Sequence, residues 1–149
     1  WHLGIEIKPI AKKLIDSLEK IYRDKTIEFV TDIAPHAVFK GEEADLLELL
    51  GNLLDNAAKA ACSTVCLTVV EHDRRLVIQV EDDGPGISQS KIDSIFNRGT
   101  RADTYASGHG IGLAIVRDLI ESYQGDITIS QSKQLNGACF VVEFGEVVN

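Results

Sequence analysis

The sequence predicts an α/β domain, a two-layer sandwich whose mixed, mostly antiparallel sheet carries helices on one face. Two observations carry that expectation. Apolar residues recur at helical spacing in three separated stretches, near 8–24, 42–61 and 111–123. Between them the β-rich runs come in pairs, 26–33 with 37–40, 64–71 with 75–81, and 126–132 with 138–145. Paired strands favour hairpins over strict strand–helix–strand alternation, and so a largely antiparallel sheet. A chain of 149 residues suits one domain with a full core.

In the first helix Ile10, Leu14, Ile15, Leu18, Ile21 and Tyr22 make one face, with charged residues between them. Residues 26–33 alternate as a strand, Pro35 interrupts, and AVFK at 37–40 follows as a second. The stretch from Glu42 to Ala61 is rich in Leu and Ala, and its opening acids suit the positive end of a helix. HDRR joins the next two strands as a hairpin. Residues 88–107 are polar and aperiodic, apart from a short helix at 89–95, and read as a long loop of the kind that is usually functional or mobile. Gly125 is the expected stop of the third helix, and LNG at 135–137 turns the last hairpin. Residues 1–7 are expected to be the remnant of a linker, and 1–149 a single domain.

A formal charge of −8 argues against a nucleic-acid surface, since phosphate backbones are bound through Lys and Arg. No apolar run approaches the roughly 20 residues that span a bilayer, and the chain is expected to be soluble. Three cysteines, Cys62, Cys66 and Cys139, form no paired framework and fit a reducing compartment. Cys62 and Cys66 lack a second ligand pair, so buried apolar thiols are expected rather than a zinc site.

Three clusters carry chemistry: NLLDNAAK at 52–59, DDGPGI at 82–87 and GHGIGL at 108–113. On the second helix Asp45, Glu48, Asn52, Asn56 and Lys59 share one stripe, which alone could be a solvated face. Two asparagines at i and i+4 in mid-helix are less readily surface choices, because Asn is a mediocre helix former. Their neutral oxygens, with phosphate completing the shell, suit Mg²⁺, and Lys59 one turn on can meet a phosphate. After the strand, two acids lead into Gly84, Pro85 and Gly86, a rigid turn that can lie against a flat ligand. Asp83 at its mouth could accept a hydrogen bond from an exocyclic amine such as adenine's; an ordinary turn with surface acids is the alternative. The third cluster opens a helix whose free N–H groups attract phosphate, though GxGxG alone is also compatible with a plain flexible loop.

In this order the clusters resemble the N, G1 and G2 boxes of the GHKL nucleotide-binding superfamily, named for gyrase, Hsp90, histidine kinases and MutL. IFNRGTR at 95–101 resembles the F box of sensor histidine kinases, and GDITISQS with NGACFVVEF is similar to their final hairpin. The likeness runs from about residue 8 to 145 and is nearest to the PhoQ-type sensor kinases. It implies the Bergerat fold with a flexible ATP lid, residues of about 94–110 forming F box and lid. It also implies that Asn52 and Asn56 serve Mg²⁺, Asp83 holds the adenine amine, and Gly84, Gly86 and Ile87 shape that pocket. Lys59, Arg98 and Arg101 would contact phosphate, while Gly108, His109, Gly110, Gly112 and Leu113 line the lid, His109 as contact or bystander. Ala60 stands where such kinases usually have an aromatic, and Ala106 and His109 stand where the PhoQ-like lid has arginine and glutamine.

The gyrase and Hsp90 branches, as the resemblance has it, place a water-activating glutamate where this chain has Asn52. An amide cannot act as a general base, so ATP would be held for an external acceptor, with Asn52, Asn56, Lys59 and Arg101 as the catalytic set. None of His2, His36, His72 and His109 has the context of a phosphoacceptor. The resemblance therefore implies the catalytic ATP-binding domain of a two-component sensor kinase, with ATP and Mg²⁺ as cofactors. Its partners would be a histidine phosphoacceptor and dimerisation domain of the same parent and a response regulator, with no nucleic acid. The isolated domain would be a monomer, and the parent a homodimer anchored at the cytoplasmic side of the bacterial inner membrane. A free-standing anti-sigma-type serine kinase and a non-catalytic nucleotide-regulated module are the alternative readings.

Overall fold

A computed structural model describes residues 4–88, 90 and 110–145. Strand β1 (Ile5–Glu6) runs straight into helix α1 (Ile7–Ile21), whose first N–H is taken by the Ala37 carbonyl at 3.1 Å. The helix ends at Ile21 rather than continuing to 24, and a 3-10 turn follows at Arg23–Lys25. Thr26 then adopts a left-handed conformation (φ 49°), so the expected strand 26–33 begins two residues later. Strand β2 is Glu28–Ile33 and β3 is Val38–Phe39.

Helix α2 (Glu43–Ala60) is followed by β4 (Thr64–His72) and β5 (Arg75–Asp82), then by helix α3 (Gly110–Ser122), β6 (Asp126–Gln131) and β7 (Ala138–Phe144). The main sheet has the order β2-β4-β5-β7-β6. Strands β2 and β4 are parallel, and the other three pairings are antiparallel. The mixed, mostly antiparallel sheet is thus as expected, but β3 stays out of it. It pairs instead with β1, Ile5 opposite Phe39, in a separate ribbon.

Strand alternation places Val65, Leu67 and Val69 of β4 and Leu76, Ile78 and Val80 of β5 on the buried face. Leu46, Leu49, Leu50, Leu53 and Leu54 of α2 are buried in the same core, so α2 is the central helix of the covering layer. At about 2 kcal/mol per fully buried aliphatic side chain, this one helix face anchors the domain. The α2 N-terminus is tied to the end of α3 by Tyr123, whose hydroxyl donates to Asp45 Oδ2 and accepts from the Glu42 N–H at 3.2 Å.

The end of α3 differs in detail from the expected glycine stop. Gln124 takes the left-handed position (φ 61°), and the Gly125 N–H reaches back to the Ile120 carbonyl at 2.9 Å. Gly125 is required for space, since a Cβ there would lie 2.7 Å from the Phe144 ring. Of the three thiols Cys139 is buried and Cys66 half-buried, but Cys62 is exposed, contrary to expectation. No helix among the described residues is long and apolar enough to cross a membrane.

Candidate functional site

Along α2 the polar stripe sinks from surface to interior. Glu48 is exposed, Asn52 half-buried and Asn56 only 2% exposed, after which Lys59 is exposed again. The Asn52 Nδ2 donates to the Glu48 carbonyl at 2.6 Å, one turn back, which fixes the amide and leaves its Oδ1 to accept. Both Oδ1 and Nδ2 of Asn56 are buried with no hydrogen-bond partner among the described residues. An orphaned buried amide costs about 1–3 kcal/mol unless a ligand supplies the missing contacts. Neutral oxygens at i and i+4 fit Mg²⁺, which takes few protein ligands and fills its shell with phosphate and water. Among the described residues no group of three His, Cys, Asp or Glu could cage a metal by itself.

The two acids at the end of β5 have opposite fates. Asp82 continues the inward row of Leu76, Ile78 and Val80 and is fully buried. Its Oδ1 accepts from the Gly84 N–H at 2.9 Å and the Ala138 N–H at 3.3 Å. Asp83 points the other way. Its carboxylate accepts from the N–H groups of Cys62 (2.8 Å), Ser63 (3.0 Å) and Thr64 (3.1 Å) and from the Ser63 hydroxyl (2.7 Å). Partial burial alone would raise the Asp83 carboxyl, but the bonds from Ser63, Thr64 and Cys62 outweigh it and hold the group at about 2. The carboxylate expected to face an exocyclic amine is therefore committed to stapling the loop between α2 and β4.

Gly84 is needed for close approach, since a Cβ there would overlap the Ala60 carbonyl at the end of α2. Gly86 has φ 79°, a backbone that L side chains rarely adopt, and Ile87 beside it packs on the core. The β6–β7 turn closes over the same place. A Cβ at Gly137 would overlap both the carbonyl and carboxylate oxygens of Asp82. That turn is held by Glu81, a buried acid that accepts from Ser132 Oγ (2.6 Å) and from Gln134 Nε2 and Gln79 Nε2 (2.7 Å each).

Gly110 and Gly112 lie in the first turn of α3, and Leu113 is buried in the core. Arg98, Arg101, Gly108 and His109, with the F box, lie outside the described residues. Asn56 and Lys59 thus lie in the last turns of α2, whose Ala60 carbonyl abuts Gly84 just beyond Asp82 at the end of β5. A separate cavity of about 590 Å³, lined by Phe39, Lys40, His72, Arg74, Tyr123 and Phe144 among others, contains none of these residues. Asp82, Glu81 and Gly137 were not singled out from the sequence. Of these, Asp82 could have been, because it is in phase with three apolar residues at period two.

A helix carrying a buried, unpartnered amide thus packs against a strand that ends in a buried carboxylate and two glycines. Residues 41–147 match the family described as histidine kinase-, DNA gyrase B-, and HSP90-like ATPase, and the chain belongs to that family. Over 139 residues it is 44% identical to the virulence sensor histidine kinase PhoQ of Salmonella typhimurium, a match covering 93% of this chain and 28% of that protein. It is 42% identical to the sensor protein PhoQ of Escherichia coli K12, with the same coverage. The catalytic domain of the histidine kinase ThkA superposes with a TM-score of 0.85 at 21% identity, covering 97% of this chain and 95% of that one, a likeness of fold. The chain spans 28% of the length of the curated relatives it matches.

Proposed function

We propose that this chain binds Mg-ATP and supplies the γ-phosphoryl group to a histidine on another domain of a two-component sensor kinase. The observation that carries the reading is the orphaned Asn56 amide, buried on α2 one turn before Lys59. Asn56 and Asn52 would hold the ion through neutral amide oxygens, and the ion would supply neutralisation of the phosphate charge. Lys59 meets the phosphates as a point charge, and Arg98, Arg101, His109 and the glycines 108, 110 and 112 are the proposed lid contacts.

The adenine contact is assigned to Asp82 rather than Asp83, because the Asp83 carboxylate is already filled by the 62–64 loop. Asp82 lies buried against Gly84 and Gly137, where a carboxylate hydrogen bond to an exocyclic amine contributes about 1.5–3 kcal/mol. The hydrolytic reading is disfavoured by Asn52, whose amide is bonded to the Glu48 carbonyl and takes no proton from water. Phosphoryl transfer therefore waits for an imidazole, the substrate of the phosphoacceptor and dimerisation domain. From there a response regulator would be served, with the parent a homodimer at the cytoplasmic face of a bacterial membrane.

With γ-labelled ATP and Mg²⁺, the fragment alone should remain unlabelled, while an added phosphoacceptor domain should become labelled on histidine. Asp82→Asn should weaken binding of a non-hydrolysable ATP analogue about tenfold or more by calorimetry. Self-labelling of the fragment, or transfer to a serine of a partner, would overturn the reading. Binding without transfer would instead favour a regulatory module.

A further inference from the structure

The last turn of α2 is gripped from outside the site. Lys25, in the 3-10 turn after α1, donates its ammonium to the Ala58 carbonyl at 2.9 Å and the Lys59 carbonyl at 2.8 Å. The last carbonyls of a helix have no partner within it, and they form the negative end of its dipole, so a cation there fills both needs. The same ammonium sits 5.9 Å from the centre of the Tyr22 ring. The Tyr22 hydroxyl in turn donates to Asp55 Oδ1 at 2.8 Å. Burial, with Asp55 alongside, pushes that phenol up to about 12, so it remains a donor at any physiological pH.

Asp55, Ala58 and Lys59 bracket Asn56 in the sequence and include the phosphate-facing lysine itself. One residue further, the Ala60 carbonyl is wedged against Gly84. Thus the turn that carries Asn56 and Lys59 is pinned on one side by Tyr22 and Lys25, just after α1, and on the other by the turn after β5. Mg²⁺ demands near-ideal octahedral geometry at about 2.0–2.1 Å, and a helix end free to fray cannot present an amide oxygen that accurately.

We propose that Lys25 and Tyr22 are positioning residues that hold the last turn of α2 in register for metal and phosphate, and so set the Mg²⁺-dependent part of nucleotide affinity. The inference rests on the assignment of Asn56 and Lys59 to the Mg-nucleotide. Neither Lys25 nor Tyr22 touches the ligand in this reading. A cap that only stabilised the fold would lower nucleotide affinity equally with and without the metal, or not at all.

The test measures the Kd of a non-hydrolysable ATP analogue in saturating Mg²⁺ and in EDTA, for wild type, Lys25→Met, Lys25→Arg and Tyr22→Phe. The loss of a residue that orients metal ligands typically costs about tenfold or more. Lys25→Met should therefore reduce the Mg²⁺ enhancement about tenfold while leaving the EDTA value within about twofold. Lys25→Arg, which keeps the cation at the helix end, should restore most of the enhancement, and Tyr22→Phe should lose part of it. Should Lys25→Met be unfolded by circular dichroism, Tyr22→Phe, which deletes one hydroxyl, carries the test. An unchanged enhancement in the folded variants, or equal losses in both conditions, would overturn the proposal. A wild-type protein that shows no Mg²⁺ enhancement at all would instead remove the site reading on which it rests.

Discussion

Neighbouring acids with the same side chain do different work in this domain because a strand sends them to opposite sides. Asp82 falls on the buried phase of β5 and Asp83 does not. The loop staple made by Asp83 has a pH signature. Its carboxyl is held at about 2 when folded, below the ordinary value of 3.8, so it stabilises the fold fully above pH 4 and loses that contribution as pH falls toward 2. Asp83→Asn should accordingly be less stable than wild type at neutral pH, and the gap should close between about pH 4 and pH 2, in urea titrations across that range. A gap independent of pH would mean that the carboxylate charge is not what the loop binds.

At the scale of elements, the helices were legible because each presents a long apolar stripe, and α2 was placed to within a residue at either end. The β1–β3 ribbon was not, because two-residue strands carry no periodicity, and nothing in AVFK marks Ile5 and Glu6 as its partners. In the site, asparagines at i and i+4 were legible as unusual for a helix interior. Burial of Asn56 depends on what packs over α2, and the service of Glu81 to the β6–β7 turn depends on residues 51 and 53 positions away. Gly137 shows how sharply two elements meet. Replacing it by Ala forces a methyl group into the backbone and carboxylate of Asp82, which should cost about 2–3 kcal/mol of stability in urea denaturation and weaken nucleotide binding with it.

For the whole molecule, ligand and fold are thermodynamically linked. If Mg-ATP binds only the native state, a nucleotide concentration of 100 times Kd adds about 2.7 kcal/mol, or roughly 5–10 °C in Tm for a domain of this size. Calorimetric scans should show that rise with the ATP analogue and Mg²⁺, and a much smaller one once EDTA removes the metal. Absence of any shift at saturating nucleotide would contradict ATP binding by this chain.

The strand order also governs the sequence in which the cradle can come into being. Strands β4 and β5, and likewise β6 and β7, are neighbours along the chain and can zip quickly as separate hairpins. The β5–β7 seam joins residues such as Glu81 and Cys139, far apart in the chain, and must await a large loop closure. Gly137 reaches Asp82 only across that seam. The proposed adenine pocket is therefore complete only once the β5–β7 seam has closed, so a nucleotide bound there would act as a lock on unfolding rather than a template for the early chain.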